Sequence, residues 1–158
     1  MVDDYNESYN DSLFSRTEFV PGIFYEHTYK YHNTFSLVVG GRADYHNLAG
    51  LLPTGRVHLR KQLGEEWVFR ASAGNSYRMP NAISENISGL ISNRELRVLE
   101  ALEIEKSFNY GGSLSWKTKF LKKEMDFRVD AFQTRFTNQW VVDREYASSQ
   151  VRMYNLDG

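Results

Sequence analysis

The stretch FSLVVGGRADY, residues 35–45, decides the fold, because its apolar and polar positions alternate with a period of two from end to end. Phe35, Leu37, Val39, Gly41, Ala43 and Tyr45 fall on one face of the strand this predicts, and Ser36, Val38, Gly40, Arg42 and Asp44 on the other. WVFRASAGNSYR, residues 67–78, repeats the pattern, with Trp67, Phe69, Ala71, Ala73 and Tyr77 set against Arg70, Ser72, Gly74, Ser76 and Arg78. Each apolar stripe is bracketed by aromatic residues ten positions apart. At roughly 3.3 Å per residue and a tilt of about 40°, that spacing projects to about 25 Å, the height of the apolar belt of a membrane barrel. One face suits lipid and the other suits water.

Working outward, the same period predicts strands from about Arg16 to Tyr31, from 56 to 63, from 107 to 119, from 124 to 142 and from 151 onward. In the strand from 124, Met125, Phe127, Val129 and Ala131 point outward. Phe132, Phe136 and Trp140 then continue the apolar series on even positions, which predicts a bulge near Ala131–Thr134. Short connections are expected near 32–34, 63–66 and 120–123, and long ones at 46–55, 79–103 and 143–150. An up-and-down barrel sorts its turns in this way, short on one side and long on the other. Leu96, Leu99 and Leu102 lie three apart and suggest a short helix in the longest connection. Residues 1–14 carry Asp3, Asp4, Glu7 and Asp11 without an apolar period and read as a loop; their spacing fits no EF-hand.

Composition agrees with strands rather than helices: of 158 residues, 15% are aromatic and three are proline. A net charge of -1 gives no electrostatic basis for binding nucleic acid. The absence of cysteine excludes disulfides and thiolate metal sites. No apolar run reaches the length of a membrane helix, and the first residues lack a basic-then-apolar secretion signal.

Six runs, in order, carry a family resemblance: VVGGRADYHN at 38–47, RVHLRKQ at 56–62, RASAGNSYRMPNAISENI at 70–87, EKSFNYGGSLSWK at 105–117, FQTRFTNQWVVD at 132–143 and MYNLDG at 153–158. Together they resemble the barrel region of TonB-dependent outer-membrane receptors. Gly55 and Ile104 stand where similar receptors commonly have proline at a strand entrance. The resemblance implies an all-β, antiparallel up-and-down transmembrane β-barrel segment over residues 1–158, about seven strands of a barrel of about 22. It also implies a location in the outer membrane of a Gram-negative bacterium, with outer-membrane lipid, the receptor's own plug domain, the TonB complex and a small-molecule nutrient as partners. The cargo classes are an iron chelate, haem, a cobalamin-like cofactor or a saccharide. The plug, the TonB-contacting segment and the remaining strands are expected to lie outside this sequence. With two open edges, the isolated segment is expected to aggregate.

Catalysis is not expected. His27, His32, His46 and His58 have no metal-ligand spacing, and no Gly-x-Ser-x-Gly surrounds Ser72, so neither metal, cofactor nor nucleophile is assigned. Among inward charges, Arg42, Asp44, Arg70 and Arg78 are expected to face the lumen or plug. Ligand contacts are expected from the long loops: His46 and Asn47 in the first, Asn81, Glu85, Asn86 and Arg94 in the second, Asp143 and Arg144 in the third. Two other classes compete. A soluble or surface β-sheet binding or adhesion module would bury the apolar face that a barrel exposes, and a barrel hydrolase would need Ser76 and His58 to meet on adjacent strands.

Overall fold

The computed structural model describes residues 2–9, 12–90, 94–121 and 123–157. Ten strands follow in chain order: β1 Val2–Tyr9, β2 Ser12–Phe19, β3 Gly22–Tyr31, β4 Phe35–His46, β5 Gly50–Leu63, β6 Trp67–Arg78, β7 Glu95–Val98, β8 Glu105–Phe120, β9 Lys123–Ala147 and β10 Gln150–Asp157. A 3-10 turn at Ser84–Asn86 runs into the one-turn helix α1, Ile87–Leu90. β1 and β2 form a hairpin of their own, and the other eight make one open sheet in the order β3-β4-β5-β6-β8-β9-β10-β7. Seven of those eight form an antiparallel meander. The eighth, β7, lies parallel to β10 at one edge.

The register reproduces the two-faced strands. Tyr29↔Leu37↔Leu59↔Ala71 is one row of the apolar face, and Lys30↔Ser36↔Arg60↔Arg70 is the next row of the polar face. At one end of the apolar face, Trp67 stacks on Trp116 at 5.4 Å and Trp116 on Phe127 at 5.7 Å, so three neighbouring strands share an aromatic band. The burial is inside-out for a water-soluble sheet. Apolar-face Ile23 and Val129 are 78% and 72% exposed, while Ser113 and Ser115 of the polar face are 4% and 6% exposed.

The structure corrects several sequence expectations. Residues expected as an N-terminal loop form β1 and the start of β2. The strand expected from Arg16 to Tyr31 breaks at Val20–Pro21, where Pro21 has no N–H to donate and its carbonyl accepts Tyr45 N–H at 2.8 Å. The connections expected to be long at 46–55 and 143–150 are tight turns at 47–49 and 148–149, so length sorting holds only for 79–104. Leu96 lies in β7, and the helical turn falls earlier, at 84–90.

The bulge also moves. The β8–β9 ladder is unbroken from Phe120↔Lys123 to Ser107↔Phe136 and shifts only before Lys106↔Asn138, leaving Thr137 as the extra residue. Phe132 and Phe136 therefore lie on the polar face. Trp140, beyond the bulge, is buried with Ala82, Ile83, Leu96, Val151 and Met153 in a small core beneath the long connection.

Tyr77 departs from the apolar face as well. The β5–β6 ladder ends at Arg56↔Gly74, and the Asn75 side chain replaces the lost pairing: its Oδ1 accepts Gly55 N–H at 2.7 Å and its Nδ2 donates to the Pro53 carbonyl at 2.8 Å. Into this splay the Tyr77 hydroxyl turns, reaching Asp44 Oδ2 at 2.6 Å and the Leu52 carbonyl at 3.0 Å.

Phe132 is placed by what opposes it. A Cβ on Gly111 would lie 2.3 Å from the Phe132 ring and 2.4 Å from the Ala131 carbonyl oxygen, so only glycine lets the ring cross that strand. Gly111→Ala in the full-length protein is expected to lower stability by about 1–3 kcal/mol through overpacking. Urea titration in detergent micelles checks this, and an unchanged midpoint would contradict the close approach.

Candidate functional site

The polar face is built in rows, because residues opposite one another on paired strands point to the same side. Its upper rows are neutralised in place. Arg56 reaches Glu26, Arg42 Nε meets Asp44 Oδ2 at 2.6 Å, and Arg78 binds Glu105 Oε2 at 2.9 Å and Glu85 Oε2 at 3.1 Å. Asp44, expected to face the lumen, is 4% exposed and engaged by Arg42 and Tyr77; a Cβ on Gly22 would run into its carboxylate. Arg42 itself stays exposed, and Arg70 is half-buried with Nη1 donating to Ser115 Oγ at 3.3 Å. Arg78 links the top of β6 to both the long connection and β8.

Above the sheet, the β1–β2 hairpin docks on the connection after β6. Glu7 accepts the backbone N–H of Ile83 at 3.2 Å and of Ser84 at 3.0 Å, at the head of the helical turn. Burial pushes the Glu7 carboxyl up. Hydrogen bonds from Ser84 and the Ile83 and Ser84 backbone, with Arg16 nearby, outweigh it and hold the group below its ordinary value. Arg16 forms the second tie, donating to the Pro80 carbonyl at 3.1 Å and to Asn81 Oδ1 at 2.6 Å while pairing with Glu18 at 2.6 Å.

The candidate loop residues gather around this hairpin. His46 Nε2 lies 3.6 Å from Glu18, and Asn47 clamps β2 by accepting Phe19 N–H at 3.0 Å and donating to the Thr17 carbonyl at 2.8 Å. Glu85 Oε1 accepts Asn81 N–H at 2.9 Å. Arg144 donates to Asn86 Oδ1 at 3.4 Å, and Arg94 donates to the Arg144 carbonyl at 3.1 Å, joining the second and third connections. Asp143 closes its own turn by accepting Glu145 and Tyr146 N–H. The eight candidates thus sit at one end of the sheet, most of them tied to one another or to the hairpin. Sequence reasoning missed Glu7, Arg16 and Glu18; their alternation within a polar segment was the signal.

Ser76 and His58 do not meet. His58 stands opposite Ser72, and Ser76 Oγ is hydrogen-bonded to Ser107 Oγ at 2.8 Å. Among the described residues, no group of three His, Asp or Glu is disposed to hold a metal ion.

An open meander with an apolar belt outside and charged rows inside is a barrel wall, and sequence comparison agrees. The family model described as TonB dependent receptor-like, beta-barrel, matches residues 1–158. The chain belongs to this family. In fold, this TonB-dependent receptor segment is similar to the crystal structure of the siderophore receptor PirA from Pseudomonas aeruginosa, with a TM-score of 0.69 at 18% identity, covering 90% of this chain and 26% of that one. The segment thus spans about a quarter of that receptor's length. No curated protein matches it in sequence.

Because the folded Glu7 carboxyl titrates below its ordinary 4.5, its contribution is full above that value and is lost as pH falls through the folded one. Amide protection factors over residues 2–9 and 12–19 of the full receptor, taken relative to the intrinsic exchange rate at each pH, are expected to fall below pH 4.5 and, in Glu7→Gln, already at neutral pH. Equal protection in the variant would show that the hairpin is held elsewhere.

Proposed function

We propose that this segment forms part of the wall and outer loops of an outer-membrane active transporter in a Gram-negative bacterium, importing a scarce nutrient with energy delivered through TonB. The observation that carries the reading is the inverted burial: large apolar side chains exposed as a belt and serines covered on the opposite face. A soluble sandwich or adhesion module would bury the belt instead. Family membership supports transport, and the likeness in fold to a siderophore receptor makes an iron chelate the first cargo to test, ahead of haem, a cobalamin-like cofactor or a saccharide.

In this reading the wall performs no catalysis. Its polar face meets a plug domain, with Arg42, Arg70 and Arg78 at that boundary, and its upper end contributes to the cargo site. The outer cluster of His46, Asn47, Asn81, Glu85, Asn86, Arg94, Asp143 and Arg144 is the proposed ligand-contacting region. Its members are held by the bonds described above, so the cargo would meet a pre-organised surface.

The full-length receptor is expected to fractionate with the outer membrane, to need detergent for extraction, and to accumulate radiolabelled iron chelate only while TonB is functional. Recovery as a soluble protein without detergent would overturn the reading. Within it, Val39→Arg places a charge on the lipid side of β4 and is expected to cost roughly 2–4 kcal/mol of membrane stability. Ser36→Ala, on the other face of the same strand, should fold as the parent does. Equal damage from both, measured by folding into lipid vesicles, would contradict the assigned faces.

A further inference from the structure

His46 belongs to the outer cluster by position, yet the residue is only 4% exposed, so whatever it does there it does through its neighbours. Its Nδ1 accepts the Leu48 N–H at 3.1 Å, which puts the proton of the neutral ring on Nε2. That nitrogen is buried and has no hydrogen-bond partner among the described residues. It faces Glu18 Oε2 at 3.6 Å, too far for a hydrogen bond. Glu18 is held on its other oxygen by Arg16 Nε at 2.6 Å, and the same guanidinium ties β2 to Pro80 and Asn81. Asn47, the next residue after His46, clamps β2 at Thr17 and Phe19.

We propose that His46 is a proton-operated latch for the β1–β2 hairpin: the neutral ring holds only its own turn, and the imidazolium closes on Glu18 and holds β2. Gaining a proton turns Nδ1 from acceptor to donor, so the Leu48 bond is given up. That loss is small, because Leu48 is 55% exposed and water can take its N–H. In exchange a positive charge forms 3.6 Å from a carboxylate whose side chain is 12% exposed, where salt screens little. Closing by roughly 0.7 Å makes a charge-assisted hydrogen bond. The surrounding charges favour the cation. The hairpin brings Glu18, Arg16 and Asp3, which lies opposite Glu18 on the β1–β2 ladder. β4 itself brings Asp44, held by Arg42 and by the Tyr77 hydroxyl of β6, while β5 presents Gly50 and Leu52, which carry no charge. Three carboxylates thus stand against two guanidiniums. A histidine that gains a partner when charged contributes at low pH and loses that contribution as pH rises. Glu7 works in the opposite sense, so both anchors hold together only at mildly acidic pH.

In the full receptor, amide protection over residues 13–19, taken relative to the intrinsic rate at each pH, is expected to fall about tenfold between about pH 5.5 and about pH 8. That is the scale of one hydrogen bond between charged groups. Protection over β8 should stay constant across the same range. In His46→Gln, residues 13–19 should show the parent's alkaline value at every pH, and Glu18→Gln should lower protection throughout and abolish the slope. Heat-modifiable migration on gels confirms that each barrel has folded. Nitrogen-15 shifts of the His46 ring in the parent should report the neutral Nε2–H form at the alkaline end and the imidazolium at the acid end, and they decide the matter alone where a variant does not fold. Protection without pH dependence in the parent, a slope that survives in His46→Gln, or a ring that stays neutral at the acid end would overturn the proposal.

Discussion

The constraint on which the rest depends is that a backbone lying in hydrocarbon must satisfy every N–H and C=O within the protein, since an unpaired group there costs several kcal/mol. That requirement explains why β3, β4, β5, β6, β8 and β9 pair in sequence order with long, nearly unbroken ladders. It also explains where irregularity is allowed. The β5–β6 ladder stops only toward the outer end, where Asn75 supplies a donor and an acceptor in place of the lost backbone pairing. The β9 bulge likewise waits until Thr137, above the belt marked by Phe127 and Val129. Once the ladder is fixed, the period of two decides which side chain meets lipid and which meets the lumen.

On the polar face electrostatics replaces packing as the organising force. Arginine forks on a strand reach carboxylates two residues along in Arg42–Asp44, one strand over in Arg78–Glu105, and across β4 at Gly40 in Arg56–Glu26. The Arg56–Glu26 pair is exposed and worth little in stability, whereas Arg42 and Arg78 reach from solvent to the buried carboxylates of Asp44 and Glu105. What they do is fix the direction of long side chains, so that this end of the polar face is neutral and ordered where it meets the connection after β6. Against that pattern Arg60 and Arg70, opposite each other and without a carboxylate partner among the described residues, are a local departure.

Much of this was legible in the residues. FSLVVGGRADY announced β4 almost to its bounds, because strict alternation over a run longer than most soluble strands has few other readings. Errors arose where a side-chain contact overrides parity. Tyr77 belongs by position to the apolar face, yet its hydroxyl finds Asp44 and Leu52, partners that are remote in sequence. Phe132 and Phe136 looked lipid-facing because aromatic residues are common there; only the unbroken register places them on the polar face, with Gly111 making room for Phe132. The β1–β2 hairpin escaped because its sequence shows no continuous apolar stripe, although Tyr9 packs against the small core. Its ladder and the anchors of Glu7 and Arg16 give it a place without a hydrophobic stripe to read.

The long connection is the least expected part of the architecture, and its course has a physical logic. β9 runs 25 residues, well beyond the last β8 pair, so its upper length would stand as an uncovered ribbon with β10. An isolated two-stranded ribbon is marginal in water. β7 adds a parallel strand along β10 at Gln150–Met153, and Leu99 N–H then bonds the Met153 carbonyl at 2.9 Å. Further on, Asn155 accepts Glu103 N–H and donates to the Ala101 carbonyl, and Trp140 Nε1 donates to the Glu103 carbonyl before the chain enters β8 at Glu105. The connection is thereby bound along the ribbon it crosses, burying Leu96, Trp140, Val151 and Met153 between them. Asn155 and Trp140 come from runs that resemble the family, whereas of the leucines that drew notice in the sequence Leu96 is buried in this core and Leu102 packs against it, without forming a helix. A loop that pairs with the sheet in this way cannot move independently of β9 and β10, so the candidate residues on the connection and on β9 share one frame.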